Sequence, residues 1–208
     1  IRGVIPAAFA PGPDEPCKRI FTTPPAGTSF STFDSERYLT PLGNKQLRDW
    51  AGLVRYDALV VVVNSSRYGG GGVFNSFATT ISDNRFDEYI LVHEFGHSFG
   101  GLGDEYYSSS VPISDFYPKE VEPWEPNITA LLDGPEKLKW KDLVPVGTPI
   151  PTPVPSGAWE VGAFEGAGYS AKGLYRPAPD CKMFSNKDRD FCPVCMRAIE
   201  RMIKFYVE

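Results

Sequence analysis

Histidine is nearly absent from this chain, with two in 208 residues. A metal centre built on three imidazoles is thereby excluded, and a metal held by the two histidines must take a carboxylate, a cysteine or a weaker donor as its third ligand. Long apolar runs are missing as well. The longest, residues 58–63, falls far short of a membrane span. Charge of one sign is nowhere concentrated: the net charge is −5 with acids and bases interspersed, so no nucleic-acid or anionic-membrane partner is expected. The four glycines Gly69, Gly70, Gly71 and Gly72 lack a following Lys-Ser/Thr, which removes a phosphate-binding loop. The chain starts at Ile1 with neither a methionine nor a signal-like segment, as expected of a fragment or a processed form. Cysteines are few: Cys17, Cys181, Cys192 and Cys195. Their even number suits an exported protein with one or two disulfides, and three pairings are open. Cys192-x-x-Cys195 reads alternatively as half of a structural zinc site, which if built of cysteines only would need Cys17 and Cys181 to converge too, or as a redox motif, whose thioredoxin-like context is lacking.

Both histidines fall in one stretch, His93-Glu94-Phe95-Gly96-His97. Scattered over this length, two histidines land four apart only about once in a hundred placements, and a glutamate after the first makes the pattern rarer still. Positions i and i+4 share one helix face, so both imidazoles reach one ion at about 2.0–2.1 Å. Glu94 points aside from that axis, placed to hold and deprotonate a metal-activated water. Asp87 and Glu88 in the expected first turn, the apolar stripe of Ile90, Leu91, Phe95 and Phe99, and the stop at Gly100-Gly101 all support a helix. A catalytic zinc usually has three protein ligands and an open fourth position. Asp104 is the best third candidate, because the glycines at 100, 101 and 103 let the chain fold back sharply toward the ion. Glu105 is the runner-up, read rather as a supporting group or the partner of a backbone donor. Glu120, Glu122 and Glu125 lie in a Pro-rich stretch that does not supply a ligand helix.

At 42% apolar, the chain suits one domain over residues 1–208. Residues 1–9 read as an extended apolar segment, and 10–27 as a Pro/Gly-rich loop carrying Cys17. Leu42, Leu47, Trp50 and Leu53 set an amphipathic helix over 41–53. The run at 58–63 reads as a fully buried central strand, the glycines after it as a flexible loop, and 73–81 as an edge strand. Residues 106–162 are punctuated by proline, and Trp124, Trp140 and Trp159 argue that they pack instead of forming a linker. Asn127-Ile128-Thr129 matches a glycosylation sequon. Residues 164–169 and 174–177 read as loops lining a substrate cleft. Tyr169 and Tyr175 are candidate phenol donors to a tetrahedral intermediate, or else core or rim tyrosines. Apolar spacing over 195–206 predicts a C-terminal helix packed on the domain. The expected fold class is α/β (α+β), a mixed twisted sheet with an active-site helix, a C-terminal helix and an irregular lower half.

HEFGHSFGGLGDEY, from His93, resembles the signature of the IgA-peptidase-like bacterial zinc metallopeptidases, a metzincin-related group with aspartate in place of the third histidine. FSTFDSERYL from Phe30, YDALVVVVNSSRYGGGG from Tyr56, FEGAGYSAKGLYRP from Phe164, and CKMF followed by FCPVC from Cys181 resemble the same family. The common metzincin spacing would place the third ligand at Gly103, one residue before Asp104. The resemblance implies a metzincin-like domain with an upper part of about 1–103 and a lower part of about 104–208. It also implies one Zn2+ per chain on His93, His97 and Asp104, with Met183 as a hydrophobic floor below the metal and an edge strand that pairs with an extended peptide or protein substrate. A secreted or cell-surface bacterial protein is expected. The function expected is a zinc-dependent endopeptidase with Glu94 as general base. The alternatives are a non-catalytic zinc-containing binding module and a zinc amidase acting on non-protein amides.

Overall fold

The computed structural model describes residues 12–108, 116–118, 120–154 and 160–208. The segment expected at 1–9 and Trp159 lie outside them. The chain divides into two compact units, Ile1–Phe99 and Gly100–Glu208. Its class is α+β, with three helices and three small sheets among the described residues. None of those helices is long and apolar enough to cross a membrane.

In the first unit, β1 (Thr28–Ser29) pairs antiparallel with β2 (Thr40–Pro41), and α1 (Asn44–Ala51) follows directly. The helix is shorter than the spacing predicts. Leu47 and Ala51 are buried and Trp50 packs beside Leu47, but Leu42 and Leu53 fall outside the helix and are exposed. The main sheet holds β3 (Val60–Val63), β4 (Gly71–Val73) and β5 (Phe77–Ile81) in the order β3-β5-β4. β3 runs parallel to β5, and β4 antiparallel.

This order corrects two expectations. Among the described residues the valine run stands at the edge of the sheet, with Val60 and Val62 exposed and only Val63 fully buried. Four β-branched residues favour a pleated strand wherever it lies, and alternation along the strand still turns every second one to solvent. The central strand is β5, buried at all five positions. Residues 73–81 are therefore not one edge strand: Val73 ends β4, a turn at Phe74, Asn75 and Ser76 reverses the chain, and β5 begins at Phe77.

Gly71 and Gly72 stand in β4, and the run is not a flexible loop. Helix α2 (Asp87–Ser98) lies directly against it. A Cβ at Gly72 would sit 2.7 Å from the Cβ of His97 and closer still to the carbonyl oxygen of Glu94. A Cβ at Gly70 would meet Ile90 at 2.6 Å, the Thr79 carbonyl oxygen at 2.9 Å and the Glu94 Cγ at 3.0 Å. Strand and helix backbones thus approach as only glycine permits. Gly72→Ala is expected to destabilise the protein by about 1–3 kcal/mol, as overpacking does against backbone that cannot rotate away. Urea unfolding measures this, and an unchanged midpoint would mean that the strand has slack. Phe30, Leu39, Val63, Ile81 and Ile90 form the core under α2.

In the second unit, the described residues between 100 and 163 are largely irregular, with 3-10 turns at Pro135–Lys137 and Lys141–Leu143. Lys139 ties them together. Its Nζ donates to the carbonyls of Pro123, Glu125 (3.0 Å) and Ile128 (2.5 Å), and pairs with Glu122 at 3.3 Å. Trp140 is completely buried in the largest core, with Leu102, Leu138, Val161, Met183 and Val194, whereas Trp124 is exposed.

The stretches read as cleft loops are a hairpin, β6 (Phe164–Ala167) with β7 (Ser170–Arg176). Its two turn residues, Gly168 and Tyr169, both have positive φ, +53° and +66°. That is the requirement of the tight turns whose twist matches a hairpin, though tyrosine is an unusual choice for one.

Helix α3 (Pro193–Val207) starts on Cys192 as its N-cap with proline in its first position. Val194, Cys195 and Ala198 are buried, but Met196, Ile203, Phe205, Tyr206 and Val207 are exposed. The expected helix is present, but only its first half is packed.

Candidate metal centre

Helix α2 begins with Asp87 and Glu88 in its first turn, where carboxylates favour the N-terminal dipole. Its uninterrupted run to Ser98 places His93 and His97 one turn apart. Their Nε2 atoms lie 3.2 Å from each other, the rings edge to face at 86°. Two nitrogens each about 2.0–2.1 Å from a tetrahedral ion would be roughly 3.3 Å apart, so the pair has the bite of a metal chelate. His93 is buried, and its Nδ1 faces the Tyr89 hydroxyl at 3.3 Å, which fixes the ring with Nε2 toward His97. Glu94 stands next along the helix, in the space left by the missing Cβ of Gly70.

After the helix, Gly101 takes a φ of +64° and turns the chain back. Gly103 is then held on both sides by one amide: its N–H donates to Asn127 Oδ1 (2.8 Å), and Asn127 Nδ2 donates to its carbonyl (2.9 Å). Asp104 follows, buried. Its backbone carbonyl accepts the Gly168 N–H at 2.9 Å, and its Oδ2 accepts a hydrogen bond from the Tyr169 hydroxyl. Asp104, six residues past the end of α2, offers a carboxylate as the third donor that the two histidines need. Two imidazoles and one carboxylate form the mixed nitrogen and oxygen set that suits a catalytic zinc with an open position.

The remaining expected residues divide. Tyr169 stands at Asp104. Tyr175 packs against the large core, and its backbone exchanges hydrogen bonds with Thr129 (2.8 and 3.1 Å). Met183 is fully buried, and its carbonyl accepts the Glu105 N–H at 2.9 Å. Glu105 turns away from Asp104: its Oε1 accepts from Asn127 Nδ2 (3.0 Å) and from the Cys195 thiol (3.1 Å). Complete burial pushes its carboxyl well above the usual range.

The sequence marks Asn127 only as the start of a glycosylation sequon, whereas the residue is completely buried and clamps the backbone beside Asp104. The expected disulfides are also absent. All four cysteines are free; Cys17 is exposed beside Ser31, and Cys181 and Cys195 have their sulfurs 3.8 Å apart, far beyond the roughly 2.05 Å of a bond.

A family model described as IgA peptidase M64 matches this chain over residues 1–160 and 156–203. A comparison with curated proteins gives no match.

Proposed function

Because the chain belongs to the IgA peptidase M64 family, a family of metal-dependent peptidases, we propose that it is a zinc endopeptidase with Glu94 as general base. The observation that carries this reading is the histidine pair on α2, Nε2 to Nε2 at 3.2 Å. His93, His97 and Asp104 would hold one Zn2+. When bound, that ion supplies Lewis acidity, polarising a peptide carbonyl and making water easier to deprotonate.

The residues of the chain do the rest. Glu94 accepts the proton of the attacking water on its carboxylate and returns it to the departing amine, one group serving in both directions. Tyr89 holds the His93 ring. Tyr169 holds the Asp104 carboxylate and is the phenol we retain as a candidate donor to the developing oxyanion. Tyr175, occupied in core packing, is left out. Among the described residues β4 lies at the edge of its sheet, and an extended peptide would pair with its backbone by strand addition. We include in the proposal a single metzincin-like catalytic domain over 1–208, with Met183 in the turn under the metal.

The test is hydrolysis of an unfolded protein by material purified without chelators. Cleavage that a chelator stops and zinc restores supports the reading, and His97→Ala is expected to lose one zinc per chain together with activity. Zinc bound without any cleavage would favour a binding module. Turnover confined to small non-peptide amides would favour an amidase.

A further inference from the structure

Three cysteines and one glutamate converge in the second unit, away from any role in the proposed hydrolysis. Cys181, Cys192, Cys195 and Glu105 each offer a ligand atom, all within 4.8 Å of one another, and all four residues are buried. We propose that this cluster is a second, structural zinc site, with three thiolates and the Glu105 carboxylate as its ligands.

The distances are those of a chelate. Sulfurs each about 2.3 Å from a tetrahedral zinc are separated by roughly 3.8 Å. Cys181 and Cys195 show 3.8 Å. The local chain is built to bring these groups together. Cys192 caps α3, and Cys195 lies in its first turn, so C-x-x-C places two sulfurs on one side of a helix N-terminus, where negative charge is favoured. Cys181 sits in a turn closed by the N–H groups of Phe184 (2.9 Å) and Ser185 (3.1 Å) on its carbonyl. The Cys192 N–H points at the Cys181 sulfur, 3.2 Å away.

The carboxylate is the second observation. Glu105 is completely buried, and its Oε2 has no hydrogen-bond partner. A buried oxygen in that state costs about 1–3 kcal/mol, and more when charged, unless something binds it. A cation satisfies it. Three thiolates and a carboxylate this close repel one another strongly without a cation, and with Zn2+ the site carries two negative charges. Arg176, nine-tenths and more buried, attracts Glu105 and offsets part of that. The donors suit zinc, since thiolate ligands select soft ions, and the span of the four groups holds one ion and no larger cluster. A closed shell with no open position makes the site structural.

The site would join three segments: the residue after Asp104, the turn carrying Met183, and the start of α3. Glu105 also donates its backbone N–H to the Met183 carbonyl, so the metal would reinforce a tie already present.

The test uses the full chain and does not depend on peptidase activity. Elemental analysis of protein purified without chelators is expected to give about two zinc per chain, and about one in the Cys181→Ser/Cys195→Ser double variant. Cobalt loading is expected to give thiolate-to-cobalt charge-transfer absorption that persists in His93→Ala/His97→Ala, which tests this site apart from the first. Should the cysteine variant fail to fold, the unaltered protein still decides. A cobalt form without thiolate absorption overturns the proposal. So does a native mass two hydrogens below the reduced mass, which marks a disulfide within the cluster.

Discussion

Glu94→Ala is expected to lower kcat for peptide hydrolysis by about 10²–10⁴-fold while zinc content stays that of the unaltered protein, because a positioned general base contributes on that scale. The separation of the two effects follows from the helix. Glu94 lies between the two imidazoles in sequence but off their shared face, so truncating it removes a proton acceptor and no metal ligand. Its backbone carbonyl is what packs on β4 at Gly72, and the substitution leaves that contact in place. Glu94→Gln serves as the matched control. It keeps the shape and loses the basicity, so a comparable loss assigns the effect to the proton. Steady-state kinetics beside elemental analysis measures both quantities. Parental turnover in either variant, or loss of zinc with the side chain, would remove Glu94 from the role.

Trp140→Ala is expected to destabilise the fold by about 3–5 kcal/mol, the range for removing a large buried aromatic. Trp140 is completely enclosed, among Leu102, Leu138, Val161 and Met183, and its Nε1–H donates to the Gly162 carbonyl at 2.6 Å. Truncation leaves a cavity and an unpaired buried oxygen together. Trp140→Phe fills most of the space and isolates the second loss, for which about 1–3 kcal/mol is expected. Denaturant titration of both variants at fixed zinc concentration separates the contributions. A loss under about 1 kcal/mol for the alanine variant would show that the irregular segment relaxes around the gap.

The parts of this protein that were legible in its sequence are those governed by local spacing. His93 and His97 declare a shared helix face because the helical repeat is a property of five consecutive residues. The C-terminal helix and the irregular proline-punctuated region were readable for the same reason. What failed depended on partners distant in the chain. Val60, Val61, Val62 and Val63 carry strand propensity, which says nothing about how many neighbours the strand acquires, and among the described residues they form an edge. The glycine run looked flexible because nothing in it names α2 as the surface pressed against it. The β6–β7 hairpin was read as loops, since a tyrosine at a left-handed turn position gives no turn signal. The even number of cysteines favours disulfides and the C-x-x-C spacing suggests half of a zinc site, but nothing in that spacing names Glu105 as the group that Cys181, Cys192 and Cys195 converge on.

The turn at Gly168 and Tyr169 sets stability and chemistry against each other. A tyrosine at φ +66° is held in a conformation that costs roughly 1–2 kcal/mol, and glycine at 169 would relieve it, whereas any Cβ at Gly168 would meet the Tyr117 ring at 2.5 Å. The relieved turn would carry less backbone strain, and Asp104 would have lost the hydroxyl that steadies its carboxylate. Selection for heat resistance alone would therefore climb away from a working enzyme at this position. A thermostabilised descendant of this chain should be engineered with the pair at 168–169 held fixed.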